Sequence, residues 1–234
     1  MAKQATREIT NGPLYRASAG IYGVLGPTVC FLVACFPFAV VTVLVPSPVA
    51  IAVAGILIGP AWTALLYAAR IVSTDRERGP MASYWRGYRL GWRQALAVWT
   101  PYWILLVVAA SDITSTATPL ALRWIVGVIA AVSLLWISAV LLIISRYAFR
   151  LRDVLRLGLY LLFAAVRSTL TNAALLVVAA AVIYFASEFV LGLLSGVFAL
   201  FAVIGARGLF ALVDSRFTTE AVVEESTGRT PAAD

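Results

Sequence analysis

Residues 17–69 read ASAGIYGVLGPTVCFLVACFPFAVVTVLVPSPVAIAVAGILIGPAWTALLYAA, and no Asp, Glu, Lys, Arg or His stands between Arg16 and Arg70. Crossing a bilayer takes about 20 apolar residues, so this interval predicts two membrane spans. Pro46-Ser47-Pro48 separates them as a short turn. The first span covers 21–45, and Pro27 and Pro37 within it predict a kink, because proline has no N–H for the helix ladder. The second covers 49–69. In it Gly55 and Gly59 stand four apart, the small-xxx-small spacing that lets membrane helices approach closely. Pro60 follows and should bend the same helix. Composition agrees with this class: 62% of the 234 residues are hydrophobic and the mean hydropathy is +0.94. A soluble domain is nearer half apolar.

Outward from this stretch, the same reading predicts four further spans, at about 95–110, 124–145, 168–187 and 189–212. Pro101 lies inside the third, and Gly192 and Gly196 repeat the close-packing spacing in the sixth. The chain is thus expected to be an all-α polytopic integral membrane protein, a six-helix transmembrane bundle. Residues 1–20 form an N-terminal arm. The first apolar run is too long for a signal-peptide core and is expected to be retained. The tail, 213–234, is rich in Glu and poor in apolar residues, a composition that predicts disorder.

The net charge is +7, from 18 Lys and Arg against 11 Asp and Glu. Basic balance in a soluble chain would suit nucleic acid. Here the charge sits in short segments between apolar spans, which marks topology and gives no reason to expect a nucleic-acid partner. The arm, residues 70–93, residues 146–167 and the C-terminal end hold all of it except Arg123. Basic loops stay on the cytoplasmic side. Both termini and both basic segments are therefore placed in the cytoplasm, in a bacterial plasma membrane.

The basic segments carry a pattern of their own. After the Gly79-Pro80 break, Tyr84, Trp85, Tyr88 and Trp92 fall on one helical arc, with Arg86, Arg89 and Arg93 on the adjoining arc. Aromatic and arginine stripes side by side suit the headgroup boundary, so a cytoplasmic amphipathic helix along the membrane surface is expected. In the second segment Arg150 and Arg156 share a face with Arg146 and Asp153, opposite Leu151, Val154 and Leu155. This predicts a second interfacial helix. These arginines are candidates to contact anionic lipid headgroups or a protein partner. Span, surface helix and span then recur, as a weak internal repeat would.

Chemistry-bearing patterns are few. There is no histidine, the commonest general base. No span holds paired carboxylates, and no Gly-rich phosphate loop with lysine occurs. Cys30 and Cys35 stand in the first span and read as small hydrophobes, not as metal ligands. No catalytic, cofactor-binding or metal residue is expected, and the chain reads as non-enzymatic. Ion-coupled carriers place charge in the membrane interior, whereas polar residues here are Thr42, Thr63, Thr100, Tyr102, Ser133, Ser138, Asn172 and Tyr184. They read as helix-packing groups.

Gly59-Pro60-Ala61-Trp62-Thr63-Ala64-Leu65, then a charged turn, then Tyr84-Trp85-Arg86-Gly87-Tyr88-Arg89-Leu90-Gly91-Trp92-Arg93-Gln94-Ala95, resembles the YesL family of uncharacterised bacterial integral membrane proteins. The resemblance is sharpest over 59–95 and departs at Gly91, where a polar residue would be expected. It implies a link to sugar uptake, since such proteins are often encoded beside carbohydrate ABC importers. The expected function is an accessory or interaction component, with ABC transporter subunits as partners. The alternative is a small solute facilitator or exporter, working as a homo-oligomer. Segments 70–94 and 146–167 lack the Glu-Ala-Ala start by which importer permeases dock their ATPase.

The topology has a direct check. In a background without Cys30 and Cys35, a cysteine at Asp153 should resist an impermeant external reagent and one at Ser115 should react. Labelling of position 153 from outside intact cells would reverse the orientation.

Overall fold

The computed structural model describes residues 13–45, 47–74, 79–114, 119–147 and 150–213. Among them the chain is helical without strands: α1 Pro13–Leu44, α2 Pro48–Gly55, α3 Ile58–Thr74, α4 Pro80–Thr114, α5 Leu120–Ile144, α6 Leu151–Ala164, α7 Val166–Phe185, α8 Glu188–Gly205 and α9 Arg207–Val213. Six stretches are long and apolar enough to span a membrane: Gly20–Leu44, Val49–Thr74, Pro80–Thr114, Leu120–Ile144, Val166–Phe185 and Glu188–Gly205. The protein is an all-α bundle of the membrane class. Asn11-Gly12, Pro46, the turn at 115–118 and the tail beyond Val213 lie outside the described residues.

Several boundaries differ from the expected ones. α1 begins at Pro13, inside the predicted arm, because proline at a first helical position loses no hydrogen bond. It then runs 32 residues through Pro27 and Pro37. The second span is two helices, broken at Ile56-Leu57. Pro60 is the cause, because it cannot donate to the Ile56 carbonyl four residues back. The ladder slips there: the Ile56 N–H reaches Val53 at 3.4 Å instead of Ala52. The sixth span stops at Gly205, and Arg207 opens the separate α9 where a continuous helix to 212 was expected. The boundary at Ala95 is absent. α4 is one helix of 35 residues, about 52 Å long, and Pro101 does not divide it.

α3 and α4 run antiparallel at the centre of the bundle, and their contact is reciprocal. Glycines of the α2–α3 segment receive tryptophans of α4: a Cβ at Gly55 would overlap the Trp103 indole, and one at Gly59 would overlap Trp99. Farther along, the giving side changes. Gly87 of α4 receives Tyr67 of α3, whose Cδ1 would lie 2.7 Å from an added Cβ, and Gly91 faces Thr63. The two indoles stack with centroids 5.6 Å apart. α1 packs beside this pair, with Gly26 against Pro80 and Met81 of α4 and Gly23 against Val72 of α3. α8 meets α1 where Gly196 lies on Thr28 and on the Val24 carbonyl, and Gly192 on Leu32.

Each described break between α2 and α3, α6 and α7, or α8 and α9 has a side chain donating to at least one carbonyl beside it. Trp99 Nε1 donates to Gly55 at 2.9 Å and Trp103 Nε1 to Ala52 at 3.1 Å. At the α6–α7 break the Thr169 hydroxyl reaches Leu162 at 2.9 Å. At the α8–α9 break the Ser168 hydroxyl reaches Gly205 at 2.8 Å. A helix end leaves carbonyls unpaired, and lipid offers no water to satisfy them.

Glycine replacements should separate these contacts. Gly59→Ala should cost about 1–3 kcal/mol, because the Trp99 ring is rigid and held at both edges. Gly127→Ala, with open space around it, should be neutral or stabilising by up to about 1 kcal/mol. Reversible unfolding in mixed detergent micelles would measure both.

Candidate functional site: a basic helical face and an apolar cavity

The first four turns of α4 form the predicted aromatic and arginine stripes, but within the same helix as the span, without the separate surface helix that was expected. Ser83, Tyr84, Gly87, Ala95 and Val98 make one buried face that continues into the span. Small residues at 83, 87, 91 and 95 keep this face narrow, and Gly87 and Gly91 stay against Tyr67 and Thr63 of α3. Tyr84 is fully buried and Tyr88 half-buried, whereas Trp85 and Trp92 are 45% and 42% exposed. Arg86, Arg89 and Arg93 are exposed, about half a turn from Tyr84. Arg93 lies over the Trp92 ring at 5.4 Å. From Arg93 to Asp112 the helix carries no charge, and that interval is about 27 Å long, close to a hydrocarbon thickness. The arginine stripe therefore stands at and beyond one boundary of the apolar zone.

The second basic segment is built differently. α6 is a helix of its own, seated on α5 by Val154, Gly158 and Leu161. A Cβ at Gly158 would lie 2.6 Å from Val140, so only glycine permits this approach. Arg150, Arg152, Asp153 and Arg156 are exposed. Leu151 is exposed too, at the start of the helix, and Leu155 is only half-buried. Arg146 is not on α6: it lies in the turn after α5, over the rings of Phe210 at 4.8 Å and Tyr147 at 5.2 Å. Because one basic segment is fused to its span and the other is hinged at Ala165, the two units of the expected repeat are not alike in build. Among the described residues the carboxylates are Asp112, Asp153 and Glu188, and Asp153 is the one at the arginine-rich end.

The polar groups of the spans are mostly turned back on their own helices. Thr63 donates to Gly59 at 2.9 Å, Ser133 to Ala130 at 2.9 Å and Ser138 to Leu135 at 2.8 Å, and Thr42 to Phe38. Asn172 instead joins helices: its Nδ2 donates to the Ser138 hydroxyl, tying α7 to α5. Tyr184 is exposed beside Phe185, and the Tyr102 hydroxyl is buried.

Asn172 and Ser138 border a cavity of about 390 Å³ lined by α1, α3, α4, α5, α7 and α8. Its wall is aromatic and aliphatic, with Phe31, Phe38, Trp62 and Phe198 prominent. Ser195 lines it as well, only 4% exposed, and its hydroxyl has no hydrogen-bond partner. Glu188 lines it too, at the N-terminus of α8. Composition hides this cavity, because its walls belong to six helices and its polar members read singly as packing groups. Trp99 and Trp103 were equally silent: nothing in their spacing distinguishes a carbonyl donor from a core ring.

Cys30 and Cys35 are free thiols, and no group of three or more metal-binding side chains occurs among the described residues. No family model matches the chain, nor does any curated protein or solved structure.

Proposed function

We propose that this is a non-enzymatic protein of a bacterial plasma membrane, with its termini and arginine-rich end in the cytoplasm, and that its basic face docks a protein partner. The observation that carries this reading is the mounting of Arg86, Arg89 and Arg93. Their backbone is fixed by Tyr84 and Gly87 on the opposite side of the same helix. Side chains presented from a rigid element lose less freedom on binding than those of a loose loop. α6 adds Arg150, Arg152 and Arg156 at the same end, and one described carboxylate there leaves the face strongly positive. An acidic surface is the complement. The YesL-like pattern over 59–95 makes the subunits of a carbohydrate ABC transporter the first partners to test. A second reading, passage of a solute through the chain itself as an oligomer, is favoured by the cavity on α5, α7 and α8.

Arginine and lysine serve topology equally, but only arginine offers a planar fork to a carboxylate. Changing Arg86, Arg89, Arg93, Arg150 and Arg156 together to lysine should leave insertion and orientation intact. Recovery of the partner in pull-downs from native membranes should fall at least about tenfold, roughly 1.4 kcal/mol. Undiminished recovery would return these arginines to lipid headgroups and topology alone.

A further inference from the structure

The cavity is lined by none of the arginines of the basic face and has a chemistry of its own. Its volume, about 390 Å³, falls among small-molecule sites, which are about 300–1,000 Å³ and mostly apolar with a few polar groups. It is elongated. Its lining on α8 runs from Glu188 to Ala202, about 21 Å of helix. No lysine or arginine lines it, and the one charge at its rim is the Glu188 carboxylate. Aromatic rings of Phe31, Phe38, Trp62 and Phe198 form much of the remaining wall.

The polar groups within are spaced along that length. Ser138 and Asn172 occupy the deep end and are joined to each other. Ser195 lies between them and Glu188. Many other hydroxyls of the spans bond to the preceding turn, as Thr28 does to Val24 at 2.7 Å and Thr63 to Gly59 at 2.9 Å. Ser195 does not, and its buried hydroxyl is left without a partner. Leaving a buried polar group unmade costs about 1–3 kcal/mol. A bound molecule with a hydrogen-bonding group would remove that cost.

We infer that this cavity is a binding site for a lipophilic organic cation, an aromatic or bulky apolar body carrying a permanent or protonated positive nitrogen or phosphorus. Glu188 pairs with the charge at the rim, where partial removal from water strengthens the attraction. The aromatic wall favours the cation through the negative faces of its rings. Ser195 bonds to ligands that offer an N–H. An anionic amphiphile is disfavoured by Glu188, and a neutral chain gains nothing from it. This inference is independent of the partner face.

The full-length protein in nanodiscs of zwitterionic lipid tests it, with two probes: tetraphenylphosphonium, which cannot hydrogen-bond, and ethidium, which carries amino groups. Each should bind saturably at one site per chain. Glu188→Gln, isosteric and at an exposed position, should weaken both by about tenfold or more. Asp153→Asn, a carboxylate outside the cavity, should change neither. Ser195→Ala should weaken ethidium severalfold and leave tetraphenylphosphonium as it was. The proposal is overturned if either probe fails to saturate or if Glu188→Gln leaves both affinities unchanged. It is equally overturned if ethidium binds Ser195→Ala as well as wild type, or if neutral triphenylphosphine oxide binds as tightly as the cation, the mark of a merely apolar void.

Discussion

The indole N–H of Trp99 on the Gly55 carbonyl, and that of Trp103 on Ala52, hold the centre of this protein together. Pro60 breaks the second span inside the apolar zone, and a broken helix there exposes carbonyls with no water to receive them. Each such group costs several kcal/mol in hydrocarbon. Two tryptophans one turn apart on α4 supply the donors, and Gly55 and Gly59 supply the space for their rings. Bond and packing are therefore one device. The α6–α7 and α8–α9 breaks are closed in the same way, by Thr169 and Ser168. A span broken inside the apolar zone can cross a bilayer because side-chain donors wait at the break.

Function builds on that device. Once the indoles fix α4 to the broken α2–α3 span, the contact propagates toward the basic end through Gly91 on Thr63 and Gly87 on Tyr67. This brings Tyr84 into the core and turns Arg86, Arg89 and Arg93 outward on a stiff rod. Their positions follow from packing deep in the bundle. The cavity has a different origin. Where α5, α7 and α8 meet α1, α3 and α4, the facing residues do not fill the space, and the Asn172–Ser138 bond spans its deep end.

Much of this was legible in the chain before folding. Fifty-odd residues without a charge announce two spans, and the arginine placement orders the rest. The four glycines at 55, 59, 192 and 196 could be picked out by spacing, because small residues four apart line one helix face. The role of Gly87 and Gly91 was harder to see, since they sit among arginines and aromatic residues that suggest a surface helix. Periodicity reports that a helix is two-faced; it does not report whether the apolar face meets lipid or protein. The same limit concealed Trp99, Trp103 and Ser195. Whether an indole finds a carbonyl, or a hydroxyl is left alone, depends on a neighbouring helix far away in sequence.

The account rests most directly on the indole–carbonyl contact, and solid-state NMR in bilayers can measure it. With carbonyl ¹³C in glycine and ¹⁵N in the tryptophan indoles, the 2.9 Å Trp99–Gly55 bond places nitrogen and carbonyl carbon within about 4 Å. A strong dipolar coupling should be present in the wild-type protein and absent in Trp99→Phe. No coupling in the wild type, with the protein folded and its spans protected from exchange, would mean that the break is satisfied otherwise and that α4 is not clamped as described.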